Sequence, residues 1–170
     1  MNYKKYIESI PDFPVKGILF RDITPLLSNG KAFDSACTDL AAFAKEKNAD
    51  VVAGPESRGF IFGCPIATKL GIGFVPIRKP NKLPRESITK TYQLEYGSNS
   101  LCVHVDAIRK GQKVVIVDDL LATGGTVKAA VELIEELGGI VVGIACLIEL
   151  TDLNGRNIVK DIPIKALISY

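Results

Sequence analysis

A run of β-branched residues at 114–117, Val-Val-Ile-Val, constrains the fold more than any other feature of the chain. Such an unbroken run is typical of a parallel strand that is buried on both faces, because helices then cover the sheet on each side. A polar loop at 118–125 follows, and then apolar residues with helical spacing up to Gly138 and Gly139, which end the helix. The segment therefore predicts a central strand, a loop and a helix, in that order.

Strand and helix patterns alternate along most of the remaining chain. The elements that we predict are a helix at 29–46, a strand at 51–54, a helix at 60–70, and strands at 73–77 and 140–148. This order predicts an α/β fold with a mostly parallel central sheet, helices on both of its faces, and ligands at the carboxyl ends of its strands.

Two segments stand outside this alternation. We expect one short helix at 2–10, and then an arm over the main body, because the two prolines of Pro-Asp-Phe-Pro at 11–14 exclude a helix there. A polar segment at 91–96 and an apolar one at 101–105 predict a strand pair with its turn at 97–100.

Charge and histidine content exclude several classes of function. The 170 residues include 21 basic and 19 acidic side chains, a net charge of +2, which does not favour binding to nucleic acid. The single histidine, His104, excludes metal sites that need two imidazoles and leaves at most one candidate base for a serine or cysteine nucleophile. Because His104 lies in an apolar run, we expect it to be structural.

The cysteines and the hydropathy pattern predict a cellular location. The four cysteines have no C-x-x-C spacing and lie in apolar segments, so we expect buried thiols in a reducing compartment; they are Cys37, Cys64, Cys102 and Cys146. No secretory pattern opens the sequence, and no apolar run approaches the roughly 18 residues of a membrane span. We therefore expect a soluble cytoplasmic protein with no membrane partner.

The loop after the central strand carries the chemistry. Asp118 and Asp119 stand where the strand ends, and an ionised carboxylate only accepts hydrogen bonds, so the pair suits the two donors of a sugar diol. The alternative is that both are solvated charges at a strand end. The P-loop of ATPases and the glycine pattern of dinucleotide-binding sites are both absent from the sequence.

The residues that open the next helix favour an anion, whereas the two carboxylates favour hydrogen-bond donors. Gly124 and Gly125 let a ligand approach the backbone, and the amides of the helix start, with the hydroxyls of Thr123 and Thr126, suit a phosphate. Together with the carboxylates, the loop predicts a site for a ribose 5′-phosphate. The alternative is a tight turn in which Thr126 merely caps the helix.

The motif as a whole resembles a known signature. A hydrophobic strand, Asp-Asp, and then Ala-Thr-Gly-Gly-Thr is similar to the phosphoribosyl diphosphate (PRPP) binding motif of type I phosphoribosyltransferases. Further segments at 11–25, 56–60, 78–84 and 94–97 occur in the order seen in the adenine phosphoribosyltransferase family, which the chain resembles over essentially its whole length.

This resemblance implies a fold and a reaction. It implies a single type I phosphoribosyltransferase domain at 1–170, with a base-binding arm or hood at 1–28 and a mobile two-stranded loop at 79–96 that closes over the reacting centre. The implied reaction joins adenine to PRPP and gives AMP and diphosphate, with Mg²⁺ carried by PRPP and no direct protein ligand to the metal. The resemblance also implies a homodimer.

The resemblance also implies roles for individual residues. The ribose would be held by Asp118 and Asp119, and its 5′-phosphate by Ala122, Thr123, Gly124, Gly125 and Thr126. The diphosphate would be bound by Glu56, Ser57, Arg58, Arg78, Lys79 and Lys82. Adenine would be bound by Leu19, Phe20 and Arg21. The catalytic residues would be Arg58, Lys82 and Glu95, with Glu95 handling the adenine proton beside Tyr96.

Two other functions remain open on the sequence alone. The sugar-phosphate motif does not select the base, so a transferase acting on hypoxanthine, guanine, xanthine or orotate is the nearest alternative. A PRPP-sensing regulator without catalytic activity is the second.

Overall fold

A computed structural model of the chain describes residues 1–93 and 98–170. Its strands are β1 (Glu8–Pro11), β2 (Leu19–Asp22), β3 (Val51–Pro55), β4 (Gly73–Ile77), β5 (Ser87–Gln93), β6 (Ser98–His104), β7 (Lys113–Leu121), β8 (Ile140–Glu149) and β9 (Ile164–Ser169). The central sheet has five strands, all parallel, in the order β4-β3-β7-β8-β9. The β-branched run lies in β7, the middle strand, so the predicted central strand and parallel sheet are confirmed.

Helices cover both faces of this sheet. They are α1 (Thr24–Ser28), α2 (Gly30–Glu46), α3 (Arg58–Leu70) and α4 (Gly125–Glu136), with 3₁₀ turns at Tyr3–Tyr6, Thr151–Leu153 and Gly155–Val159. The apolar sides of α2 and α3 pack on one face, and α4 packs on the other. Asn29 caps α2 by accepting a hydrogen bond from the Ala32 amide at 3.0 Å. Within the described ranges, no helix has the length and apolar content to cross a membrane.

Two antiparallel hairpins accompany the sheet. Strands β1 and β2 pair in the N-terminal arm, and β5 pairs with β6 from Ser87 opposite His104 to Gln93 opposite Ser98. The second hairpin rests on α4, where Lys90 Nζ lies 3.4 Å from Glu136 Oε2 and the Tyr92 hydroxyl lies 3.1 Å from Thr126 Oγ1. The described part of the predicted loop at 79–96 therefore includes a regular strand, and its closure stays a prediction.

Several boundaries differ from the predictions. The helix expected at 2–10 is wrong, because only Tyr3–Tyr6 is helical and the residues after it pair with β2 as β1. The loop expected to begin at residue 118 starts later, since β7 continues to Leu121. The expected turn at 97–100 is wrong at residues 98–100, because they belong to β6, which begins at Ser98.

The cysteines follow the prediction with one exception. All four fall in the described part of the chain and are free thiols. Cys37, Cys102 and Cys146 are buried, but Cys64 is exposed on α3, so the expectation of burial is wrong there. The apolar pattern of an amphipathic helix does not by itself fix which of its flanking positions face solvent.

Candidate active site

A polar cavity of about 230 Å³ lies at the carboxyl ends of β3 and β7, next to the start of α4. Parallel sheets place their ligands at this end, so the location follows from the fold. The cavity is lined by Pro55, Glu56, Ser57, Arg58, Asp118, Asp119, Leu120, Leu121, Ala122, Thr123, Gly124, Gly125, Thr126 and Val127. It therefore brings together two segments that are about sixty positions apart in the sequence: the residues predicted for the ribose and its phosphate, and three of the six predicted for the diphosphate.

The two carboxylates at this cavity are buried. Asp118 is 9% exposed and Asp119 is 4% exposed, so they are not the solvated charges of the alternative interpretation. The Asp119 amide donates to Asp118 Oδ1 at 2.9 Å. Arg58 Nε lies 3.0 Å from Asp119 Oδ2, but it is not aligned as a hydrogen bond, which leaves that buried oxygen without a donor. A bound diol would supply the missing donor.

The electrostatics of the pair follow from this burial. Burial raises the pKa of Asp118 well above its ordinary range, and the charge of neighbouring Asp119 raises it further. Burial also raises the pKa of Asp119, although the Arg58 guanidinium acts in the opposite direction. Both carboxyls therefore lie in surroundings that disfavour their ionised form.

The raised pKa of Asp118 predicts a pH-dependent effect on stability. A carboxyl whose pKa is higher in the folded chain is protonated in both states below its unfolded pKa of about 3.9, and it then costs no stability. As the pH rises through the folded pKa, the carboxyl ionises in its buried site and destabilises the fold. We expect Asp118→Asn to raise the free energy of unfolding at pH 8 by about 0.5–2 kcal/mol. The difference should disappear below about pH 4, and urea unfolding at several pH values measures it.

Asp22, a carboxylate whose pKa is lowered instead of raised, provides the control for this prediction. Asp22 accepts from the Thr24 amide at 2.9 Å and from its hydroxyl at 2.7 Å, and the backbone bond is the main reason that the pKa of Asp22 is lowered. Its contribution to stability is present at neutral pH and is lost as the pH falls, so Asp22→Asn should lose stability at pH 8. A loss for Asp118→Asn at pH 8 would contradict the assignment of its pKa shift to burial.

Residues 122–126, which are predicted above to bind a 5′-phosphate and are called the phosphate loop below, turn the chain from β7 into α4. Gly124 has φ +87°, a left-handed conformation that favours glycine, and its carbonyl accepts the Lys128 amide at 2.9 Å in the first turn of α4. The loop lines the cavity at the positive end of a 12-residue helix, where backbone amides suit an anion. The Thr126 hydroxyl also contacts Tyr92 of the second hairpin, a neighbour that the sequence pattern did not reveal.

Three of the predicted diphosphate residues, Glu56, Ser57 and Arg58, form a second side of the cavity. Glu56 accepts from Arg78 Nε at 2.8 Å and from the Lys79 amide at 2.9 Å. The Lys79 amide and the Arg78 guanidinium lower the pKa of Glu56, so this carboxylate is ionised and holds the end of β4 beside β3. Arg78 and Lys79 are thus held next to the cavity by Glu56, but neither of them lines it, and Lys82 is exposed and does not line it either.

An apolar cavity of about 440 Å³ adjoins the arm, and Arg58 lines both it and the polar cavity. The lining residues are Ile10, Phe13, Phe20, Asp22, Ile23, Thr24, Leu27, Arg58 and Ile61. The rings of Phe13 and Phe20 meet edge to face at 5.1 Å. An apolar cavity with an aromatic wall suits a planar base.

The three residues predicted to bind adenine point in different directions. The Phe20 side chain lines the apolar cavity, whereas Leu19 is exposed and is not among its lining residues. Arg21 stacks on the Tyr170 ring at 3.7 Å and donates to the Ser9 hydroxyl. Side chains alternate along a strand, so Leu19 and Arg21 reach a ligand of this cavity only through their backbone.

Other placements complete the comparison with the sequence predictions. Ile61, which the sequence analysis did not single out, lines the apolar cavity one helical turn after Arg58, and that i, i+3 spacing was a usable signal. His104 lies in β6 with Nδ1 at 3.3 Å from Arg85 Nη2, away from both cavities. Glu95 and Tyr96 lie outside the described residues.

Comparison with known proteins agrees with this geometry. The phosphoribosyl transferase domain family matches residues 26–168. The adenine phosphoribosyltransferase of Lactobacillus acidophilus is 59% identical over 170 residues, which cover 100% of this chain and 97% of the relative. The chain belongs to the adenine phosphoribosyltransferase family. The resemblance of the sequence motifs to this family is therefore confirmed.

Solved structures of the family have the same fold. The adenine phosphoribosyltransferase of Thermoanaerobacter pseudethanolicus superposes with a TM-score of 0.96 at 53% identity, covering 99% of this chain and 98% of its own. The Saccharomyces cerevisiae member, solved with an imino-altritol bisphosphate and adenine, gives a TM-score of 0.92 at 39% identity, with 97% and 96% of the two chains covered. The type I phosphoribosyltransferase fold is thus confirmed.

Proposed function

We propose that this protein transfers the 5-phosphoribosyl group of PRPP to adenine and releases AMP and diphosphate. The observation that carries the proposal is the pair of adjoining cavities, one polar and one apolar, with Arg58 in the wall of both. A sugar phosphate and a planar base need these two environments side by side. Membership of the family supports the choice of adenine as the base.

The polar cavity is proposed to hold the phosphoribosyl group. Asp118 and Asp119 accept the ribose hydroxyls, and the amides and hydroxyls of the phosphate loop bind the 5′-phosphate. The orphaned Asp119 Oδ2 supports the first role, since a buried acceptor without a donor is normally satisfied by a ligand or water. The left-handed Gly124 at the start of α4 supports the second.

The segment at 56–58 is proposed to bind the diphosphate, together with the cations near it. As the bond between C1′ and the diphosphate oxygen breaks, negative charge grows on the leaving group. Arg58, which lines the cavity, and Arg78, which pairs with Glu56 in its wall, are proposed to stabilise that charge. Lys82 is proposed to join them only after the loop at 79–96 closes. Closure would also exclude water, which otherwise competes with adenine for C1′.

Magnesium is part of the same proposal. Mg²⁺ prefers carboxylate, phosphate and water oxygens, and the ionised Glu56 carboxylate in the cavity wall fits the water of a hydrated ion brought in with the diphosphate. When bound, Mg²⁺ supplies positive charge to the leaving group. Asp118 and Asp119 would then hold the sugar, while Glu56 would orient that ion through water.

The apolar cavity is proposed to bind adenine. Phe20 would pack against the purine, and backbone groups of Leu19 and Arg21 would pair with its polar edge. During the reaction, N9 forms a bond to C1′, the bond from C1′ to diphosphate breaks, and the proton of N9 passes to Glu95.

We also propose a homodimer, and a cytoplasmic location that the four free thiols support.

An assay with a panel of bases tests the function. The protein is incubated with PRPP, Mg²⁺ and one of adenine, hypoxanthine, guanine, xanthine or orotate, and nucleotide formation is followed. We expect AMP from adenine at a rate at least about a hundredfold above any other base, because unpaired polar groups disfavour the wrong edge. Turnover of another base instead, or AMP binding without any turnover, would contradict the proposal.

Glu95 is the proposed proton acceptor, and its replacement gives a kinetic prediction. Glu95→Gln should lower kcat by about 10²–10⁴-fold and change both KM values little, because the residue acts only in the transition state. Steady-state kinetics with adenine and PRPP measure the effect, with Glu86→Gln as a control on the same loop. An unchanged kcat would exclude Glu95 from proton transfer.

A further inference from the structure

Gly155 packs its backbone directly against the phosphate loop. A Cβ at Gly155 would lie 2.2 Å from the Ala122 carbonyl oxygen and 3.2 Å from the Gly124 amide nitrogen. A Cβ at Gly124 would in turn lie 2.6 Å from the Gly155 carbonyl oxygen. The two backbones are therefore in contact with no space for a side chain between them, and the position of Gly155 limits where the loop can lie.

The residue that follows Gly155 is fixed by a fork of two charged hydrogen bonds. Arg156 donates from Nε to Glu149 Oε1 at 2.5 Å and from Nη2 to Glu149 Oε2 at 2.6 Å. Arg156 Nη1 also donates to the Ile164 carbonyl at 3.3 Å. A bidentate arginine and carboxylate pair defines an orientation as well as a distance, so it fixes the chain at Arg156 and, with it, Gly155.

The carboxylate of this pair is anchored in the central sheet. Glu149 is 5% exposed, ends β8, and lies opposite Leu121 of β7, the residue that immediately precedes the phosphate loop. The Leu150 amide donates to the Leu121 carbonyl, and the Tyr170 amide donates to the Glu149 carbonyl, both at 2.9 Å. Glu149 is thus linked to both partners in this contact. It lies beside the end of β7, which leads into the phosphate loop, and through Arg156 it holds Gly155, which packs on that loop.

We propose that Gly155, Arg156 and Glu149 are positioning residues for the phosphate loop. None of them lines either cavity. Gly155 provides the surface on which Ala122 and Gly124 rest, and the Arg156 pair holds that surface in place, so the loop amides keep the spacing that a 5′-phosphate needs. Arg156 also compensates the buried charge of Glu149, which would otherwise weaken anion binding nearby. This inference rests on the proposed phosphate-binding function of residues 122–126.

The test measures how much the phosphate contributes to affinity. Calorimetry with AMP and with adenosine, which differ only in the 5′-phosphate, gives the ratio of their dissociation constants for each variant. We expect Gly155→Ala to reduce the phosphate contribution by about 10–100-fold and to raise the KM of PRPP by a similar factor, with the KM of adenine within about threefold. Gly30→Ala is the matched control, because a Cβ there meets nothing within 4 Å.

Arg156 variants keep the inference testable if Gly155→Ala does not fold. Arg156→Gln should reduce the phosphate contribution about tenfold, and Arg156→Lys, which keeps the charge but not the fork, should recover only part of it. A variant that unfolds at a lower temperature but keeps the wild-type ratio of AMP to adenosine affinity would show a purely structural role and overturn the inference.

A substitution inside the loop separates this inference from the proposed function. Thr126→Val removes a hydroxyl that is proposed to contact the phosphate. If Thr126→Val reduces the phosphate contribution and the Gly155 and Arg156 variants do not, the positioning role alone is wrong. If none of them reduces it, residues 122–126 do not bind the phosphate, and both assignments are wrong.

Discussion

Replacement of Asp118 and Asp119 together by asparagine should lower kcat/KM for PRPP by about 10²–10⁴-fold. Each ionised carboxylate is proposed to accept a ribose hydroxyl in a water-poor site, and hydrogen bonds to charged groups contribute about 1.5–3 kcal/mol each. Both side chains are buried, so water cannot readily replace the hydrogen bonds that the carboxylates would make to the ribose. The double variant keeps the shape of the site and changes its capacity to bind a diol.

The discriminating measurement for this variant compares the two substrates. Adenine affinity should stay within about threefold of the wild type, because neither aspartate lines the apolar cavity. Asp152→Asn, at an exposed position, controls for a change of charge alone. Equal losses for PRPP and adenine would contradict the proposed division between a sugar site and a base site.

Replacement of Arg58 by glutamine should lower kcat/KM by a similar factor, but it should change the affinities for both substrates and not for PRPP alone. We expect kcat/KM to fall by about 10²–10³-fold, the usual cost of removing a preorganised donor from a site where charge develops. Unlike the aspartates, Arg58 lines both cavities, and its guanidinium carbon lies 5.6 Å from the centre of the Phe20 ring. The affinities for both substrates should therefore change.

The conservative variant refines this prediction. Arg58→Lys retains the charge but has no planar group to lie beside Phe20 and Asp119 together, so it should recover less than a tenth of the lost activity. Arg109→Gln, exposed at the opposite end of the sheet, should leave activity within about twofold of the wild type. A loss below about threefold for Arg58→Gln would exclude Arg58 from the reacting centre.

The central part of the fold could be predicted because its signals are local and consistent. The β-branched run of β7, the glycines after it and the spacing of α4 all agree, and residues 118–126 emerge at one cavity as a result. Strand β9 was missed because its sequence, Ile-Lys-Ala-Leu-Ile-Ser, lacks a clear period, and its pairing with β8 is what defines it. The expected helix at 2–10 failed because pairing with β2 outweighed local propensity.

The sequence predicted which residues belong to the candidate site better than it predicted the contacts that they make. The sequence indicates which charges belong together at the strand ends, but it does not show that Glu56 is already engaged by Arg78, or that Arg21 turns away to Tyr170. Nor could it show that Gly155 contacts residues more than thirty positions earlier. Such contacts depend on how loops from different strands meet, and no local periodicity encodes that meeting.

The burial of Asp118 and Asp119 in the middle strand has a thermodynamic consequence for the whole chain. A ligand that donates hydrogen bonds to them relieves an unfavourable environment at the centre of the sheet, so occupancy of the cavity and cohesion of the core are linked. Protein saturated with the proposed phosphoribosyl ligand should therefore unfold at a higher temperature than the free protein.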